Sequence, residues 1–283
     1  MTVIDAHVHL WDLDVRPQPW TDPFPVLQRS YRVDELAAVL DAHGVDAAVV
    51  VQAGDTTGET RDLLALAAGT DRLAGVVGWV DLAGADVAGD LSALRAAPGG
   101  DKLVAVRHQL QVEPDPDYVA RADVRAGLGA VAAAGLTYDL VISPFQLPVV
   151  IDVVAAVPTL RFVLDHAGKP PIAGPGAELD RWRADLARLA EAPNVAVKVS
   201  GLVTEADWAS WTQPQLDPVI THVLDSFGPS RVMVGSDWPV CLLAADYGAV
   251  QATVAPALAR LGADGRADVL GGTAARWYPG LTA

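Results

Sequence analysis

The chain has 283 residues, 51% of them hydrophobic and 19% charged, so it can bury a large core and is too apolar for disorder. Its formal charge of −15 arises from Asp+Glu 35 against Lys+Arg 20; such a surface repels phosphate backbones and anionic lipid, so neither nucleic acid nor membrane is expected as a partner. One cysteine, Cys241, excludes an intrachain disulfide, and with no basic, apolar leader and no run of roughly 18 apolar residues the expected location is the cytoplasm.

Taken in chain order, short apolar runs rich in β-branched residues predict strands over 2–10, 46–52, 74–80, 103–110, 136–142, 161–168, 194–201 and 231–238. Several are apolar for most of their length, as strands buried on both faces must be. Helical spacing appears between them, first over 33–44, which closes with Gly44 as a C-cap. It recurs over 179–194, where Trp182, Leu186 and Leu189 form one stripe, and over 218–228. A last helix over 249–262 should be interrupted by Pro256. Eight strands alternating with helices predict an α/β protein, a closed (β/α)8 TIM barrel built as a single domain over residues 1–283. A doubly wound open sheet is the alternative. The lack of a Gly-rich phosphate loop after the first strand speaks against it.

Active sites of such barrels lie at the carboxyl ends of the strands. Polar residues gather at those ends. The first strand carries His7 and His9, two apart and hence on one face. The fourth ends in Arg107, His108 and Gln109, the sixth in Asp165 and His166, the seventh in Lys198 and Ser200, and the eighth in Asp237. Four of the six histidines therefore fall at strand ends, while His43 and His222 fall in helices as solvated or capping residues. A lone strand histidine is more often a hydrogen-bonded core residue. Agreement of the set on one end of the barrel gives the functional reading its weight.

Four stretches, "DAHVHLW", "LDHAGKP", "VKVSGL" and "GSDWP", resemble in this order the sugar-lactonase branch of the amidohydrolase superfamily. That branch includes fuconolactonases, rhamnonolactonases and pyrone-dicarboxylate lactonase. The resemblance implies that His7, His9 and Asp237 bind metal or hold the substrate, that Asp237 is the general base, and that His166 is the histidine of the "DHxGKP" motif. Binuclear members carry a bridging Lys or Glu at the end of the fourth strand and a His at the end of the fifth. Here those ends read "AVRHQL" and "TYDLVIS". At most one divalent ion is expected, zinc first, on His7, His9, His166 and Asp237, and a mechanism without metal stays open.

Lactone opening needs a polarised carbonyl, an activated water and a proton for the departing ring oxygen. Asp237 would take the water proton and return it, with His166 as its catalytic partner. Arg107, His108 and Lys198 are candidates to hold sugar hydroxyls or the new carboxylate; the alternative for Arg107 and Lys198 is a structural pair with Asp139 or Asp165. Trp11, Trp20 and Trp238 are candidates for the apolar face of a sugar ring, or plain packing. Cys241 lies in an apolar stretch without a basic partner and is expected to be structural. The expected partner is therefore a small-molecule lactone. A decarboxylase of the same superfamily and a non-catalytic binding barrel are the alternatives. Neither the sugar nor the oligomeric state follows from the sequence.

Overall fold

The computed structural model of the protein describes residues 2–174 and 176–281. Its strands are β1 (Ile4–Val8), β2 (Ala47–Val51), β3 (Leu73–Gly78), β4 (Leu103–His108), β5 (Thr137–Leu140), β6 (Arg161–Leu164), β7 (Val195–Val199) and β8 (Val232–Val234). They pair in sequence order, each parallel to the next. The ring closes where Val8 bridges Trp238. There the His9 amide donates to the Trp238 carbonyl at 2.7 Å and the Asp237 amide to the His7 carbonyl at 2.9 Å. The (β/α)8 barrel is borne out, and the open sheet is set aside.

All eight predicted strands are present, each shorter than its apolar run. The last residues of each run have left the sheet for the loops that carry polar groups. The helices packed around the barrel include α1 (Val33–Ala42), α2 (Thr57–Ala68), α3 (Val87–Arg95), α4 (Ala122–Ala133), α5 (Leu147–Ala156), α6 (Gly176–Ala190) and α7 (Gln213–Phe227). The predicted helix over 249–262 is two, α8 (Tyr247–Ala252) and α9 (Ala255–Ala259), with Pro256 in the first turn of the second. There the missing N–H has no helical partner to lose. Two short helices follow, α10 (Ala263–Ala267) and α11 (Thr273–Trp277). Among the described residues no helix is long and apolar enough to cross a membrane.

Side chains inside the barrel are stacked in layers. Ile4, Val49, Val77, Val163, Ala196 and Met233 form an apolar floor closed from below by Ala274, Trp277, Tyr278 and Leu281. Two residues further along the strands the interior turns polar, with Arg107, Asp139, Asp165 and Lys198 all buried. Lys198 Nζ lies 2.7 Å from Asp139 and 2.8 Å from Asp165, and Arg107 donates to Asp165 at 2.8 Å. Two cations balance two anions. The Tyr278 hydroxyl reaches up from the floor and donates to Asp139 at 2.7 Å. The catalytic candidates stand on this layer.

Candidate active site

Strand β1 delivers its two histidines through an irregularity. Its register shifts between Asp5 and Val8, the mark of a bulge that re-aims side chains. Asp5 accepts from the His7 amide at 3.1 Å, the Ser236 amide at 2.9 Å and the Tyr247 hydroxyl at 2.9 Å. It thereby ties β1 to the loop after β8. His7 and His9 point their Nε2 atoms at one spot, 3.2 Å apart. His9 Nδ1 donates to the Val51 carbonyl at 2.8 Å; since that oxygen only accepts, His9 Nε2 is left with a bare lone pair.

His166 arrives differently. Beyond β6 the backbone turns left-handed for four residues, with φ of 52° at His166, 51° at Ala167, 70° at Gly168 and 55° at Lys169. Left-handed geometry costs a non-glycine residue roughly 1–2 kcal/mol, so the turn must be held from outside. Trp182 of α6 does part of this by donating from its indole to the Ala167 carbonyl at 2.8 Å. Ser200 lies 2.9 Å from His166 Nδ1. Asp237 is left-handed too, at φ 60°. Its Oδ1 stands 3.4 Å from His9 Nε2, 3.7 Å from His7 Nε2 and 4.0 Å from His166 Nε2.

The protonation states follow from burial and neighbours. Burial drives His166 down to about 4, against the pull of Asp237 and Asp165. Burial likewise holds His7 well below its usual value. Both are neutral imidazoles at neutral pH. For Asp237 burial works against charge, yet the facing His166, His9 and His7 outweigh it and keep the carboxyl below its usual range.

The group opens into a cavity of about 120 Å³ lined by His9, Trp20, Arg107, His166, Lys169 and Asp237 among others. A larger cleft of about 540 Å³ runs outside the barrel between the β1 loop and α2. None of the histidines or Asp237 borders it.

Several candidates stand elsewhere. Lys198 is fully buried and does not line the cavity; it lies beneath His7, its Nζ 3.2 Å from His7 Nδ1, in the pair with Asp139 and Asp165. His108 also points away: it accepts from the Trp79 indole at Nδ1, so its Nε2 donates to Glu113 at 2.5 Å, and its ring stacks on Tyr118. Trp11 and Trp238 are buried against Tyr31. Only Trp20 of the three tryptophans reaches the cavity, its indole donating to Gln18 at 3.0 Å. Arg107 is there, with one terminal nitrogen on Asp165 and the other on the Gln52 carbonyl, and its buried Nε has no protein partner. Cys241 is buried, and burial pushes its thiol up, which suits a structural residue. His43 is exposed and bonded to the Val39 carbonyl, and His222 to that of Arg183.

Residues 4–280 match the amidohydrolase family. The chain belongs to that family. It is similar to an L-fucono-1,5-lactonase of Burkholderia multivorans, 41% identical over 97% of this chain and 95% of that one. A second L-fucono-1,5-lactonase, from Burkholderia ambifaria, is 38% identical over 97% of this chain and 94% of its own length. Among solved structures, a zinc-bound amidohydrolase from Burkholderia multivorans superposes with a TM-score of 0.93 at 41% identity, covering 98% of this chain and 99% of that one.

The amidohydrolase's own donor set fits such an ion. His7, His9 and Asp237 present one ligand atom each within 4.8 Å of one another. A tetrahedral zinc with bonds of roughly 2.0–2.1 Å needs ligand atoms about 3.3 Å apart. The observed separations of 3.2, 3.4 and 3.7 Å bracket that value. Three electron-rich atoms turned on one another otherwise repel, and a cation between them removes the conflict. Neutral imidazole is also the form that ligates.

Lys169, Gln111 and Thr204, which line the cavity from the loops after β6, β4 and β7, are given no role by the sequence. Lys169 lies inside the "LDHAGKP" stretch, while the one sequence signal of the other two is position just beyond a strand end. Gly201, at φ 62°, is a further hidden element: a Cβ there would lie 2.7 Å from His166 Nδ1 and 3.2 Å from Asp237 Oδ2. Gly201→Ala is expected to lower kcat at least tenfold by displacing His166, and to cost about 1 kcal/mol or more of stability through the left-handed backbone. Kinetics with a denaturation curve checks this; an unchanged kcat would show that His166 is not held by that contact.

Proposed function

We propose that this amidohydrolase opens the ring of a sugar-acid lactone of the fucono-1,5-lactone type to the free aldonate. The observation that carries the reading is 41% identity to an L-fucono-1,5-lactonase across 97% of the chain. The local chemistry agrees. Water adds to the lactone carbonyl carbon while Asp237 accepts its proton. Neutral His166 is placed to donate to the oxyanion that forms on the carbonyl oxygen, with the Arg107 guanidinium beside it on the cavity wall. The ring C–O bond then breaks, and Asp237 returns the proton to the departing ring oxygen. A divalent ion on His7, His9 and Asp237 would supply Lewis acidity, polarising the carbonyl or acidifying the water. Trp20 offers a flat apolar surface to the sugar.

The alternatives are weaker on specific grounds. Decarboxylases of the superfamily more often resemble ExH than HxH on the first strand, and this chain has His7 and His9. A binding barrel has no use for an ionised carboxylate facing three imidazoles. The lone, buried thiol suits work in a reducing cytoplasm.

The test is proton release from fucono-, rhamnono-, galactono- and arabinono-lactones in a weakly buffered indicator. At least one should open far faster than it does spontaneously. No acceleration on any would overturn the reading, and carbon dioxide release would favour the decarboxylase. Metal content gives an independent check. Zinc titration followed by elemental analysis should saturate at one ion per chain, because strands β4 and β5 end without the residues that hold a second. Two tightly bound ions would contradict this.

A further inference from the structure

The same left-handed turn that delivers His166 also delivers Lys169 to the cavity wall. Lys169 precedes Pro170. A residue in that position prefers extended backbone, and a long side chain gains nothing from φ 55°. Strain of this kind persists where the surroundings impose it, commonly at working sites. The surroundings here include Glu205 in the loop after β7, whose carboxylate accepts from Lys169 Nζ at 2.8 Å. That pair is only partly buried, with the lysine side chain 24% exposed. The lysine is thus fixed in direction and still open to a ligand.

Its donors are also free. An ammonium carries three N–H groups, and Glu205 takes one. Among the described residues no other acceptor is bonded to Lys169 Nζ. The other cation on the cavity wall, Arg107, turns its terminal nitrogens to Asp165, to the Gln52 carbonyl and side chain and to the edge of His7, and its Nε is buried. Neighbouring Thr204 is spent on the Gly201 carbonyl at 2.7 Å. Lys169 therefore brings unspent donors that carry a full positive charge to the wall, in a protein whose net charge is −15.

We propose that Lys169, held by Glu205, is a specificity-determining residue that donates to one ring hydroxyl oxygen of the lactone. This rests on the lactonase reading given above. The ester group is left to His166, Arg107 and Asp237, and Lys169 distinguishes a hydroxylated ring from a bare one.

The test is a cycle of enzyme variant against substrate variant. Lys169→Met is assayed on the best sugar lactone and on analogues that each lack one ring hydroxyl. On the parent lactone kcat/KM should fall about 10- to 100-fold, the range of one hydrogen bond to a charged donor, mainly through KM. For one analogue the wild type should show the same loss, and Lys169→Met should show no further loss. Lys169→Arg, which keeps a charged donor, should recover part of the parent activity. A Lys169→Met penalty that is equal on every analogue, or that falls mainly on kcat, would overturn the proposal by putting the lysine on the ester or in the scaffold. If Lys169→Met does not fold, Lys169→Gln takes its place in the same cycle. A wild type that opens none of the sugar lactones would instead remove the underlying reading, and the proposal with it.

Discussion

Asp237→Asn should lower kcat on the preferred lactone by about 10² to 10⁴, the loss expected when a positioned general base is removed. The exchange is close to isosteric, and asparagine tolerates the left-handed backbone that Asp237 adopts at φ 60°. The fold around it should survive. What changes is the charge on an oxygen that faces His9 at 3.4 Å and His7 at 3.7 Å. KM should move little, since the ring hydroxyls are held elsewhere. Two roles of this carboxylate can be told apart by measuring zinc in the same preparation. Lost activity with retained zinc assigns the defect to proton transfer. Lost activity with lost zinc assigns it to the ligand set. Full activity in Asp237→Asn would mean that the base has been assigned wrongly.

The sequence carried the barrel because buried parallel strands are written as apolar runs, and eight such runs are hard to miss. It also carried the axial height of the site, since polar residues interrupt those runs only at one end. It did not carry direction. Neighbours in an extended chain face opposite ways, so Arg107 and His108 of β4 cannot both reach the cavity. Nor does a residue pattern reveal depth. Lys198 lies two positions before Ser200 and so one layer further down, where it meets Asp139 instead of solvent. The left-handed turn at 166–169 was hidden because the run over 161–168 looks like continued strand up to its last glycine. That misreading concealed Lys169. The bulge in β1 was equally invisible, because regular alternation already put His7 and His9 on one side.

Lys198→Met should cost about 3–5 kcal/mol of stability, the penalty for removing one partner from a buried ion pair. The side chain is fully buried and touches two carboxylates, Asp139 at 2.7 Å and Asp165 at 2.8 Å, with the His7 ring 3.2 Å away. Methionine fills much the same volume, so the loss is electrostatic and not a cavity. Arg107 still holds Asp165, and Asp139 loses its cation and keeps the Tyr278 hydroxyl. Burial has already pushed its carboxyl up to about 6, even beside the lysine, so without the lysine it should take up a proton, which limits the damage. Lys198→Met combined with Asp139→Asn should therefore be more stable than Lys198→Met alone at pH 8, and the gap should narrow towards pH 5, where Asp139 is neutral in the folded protein. Urea denaturation at the two pH values measures both quantities. If Lys198→Met costs less than about 1 kcal/mol, the size of a solvent-exposed pair, the interior layer beneath His7 is not the dry charge network described here. Because that layer also holds His7 in place, the same variant should lose activity under conditions where it is fully folded.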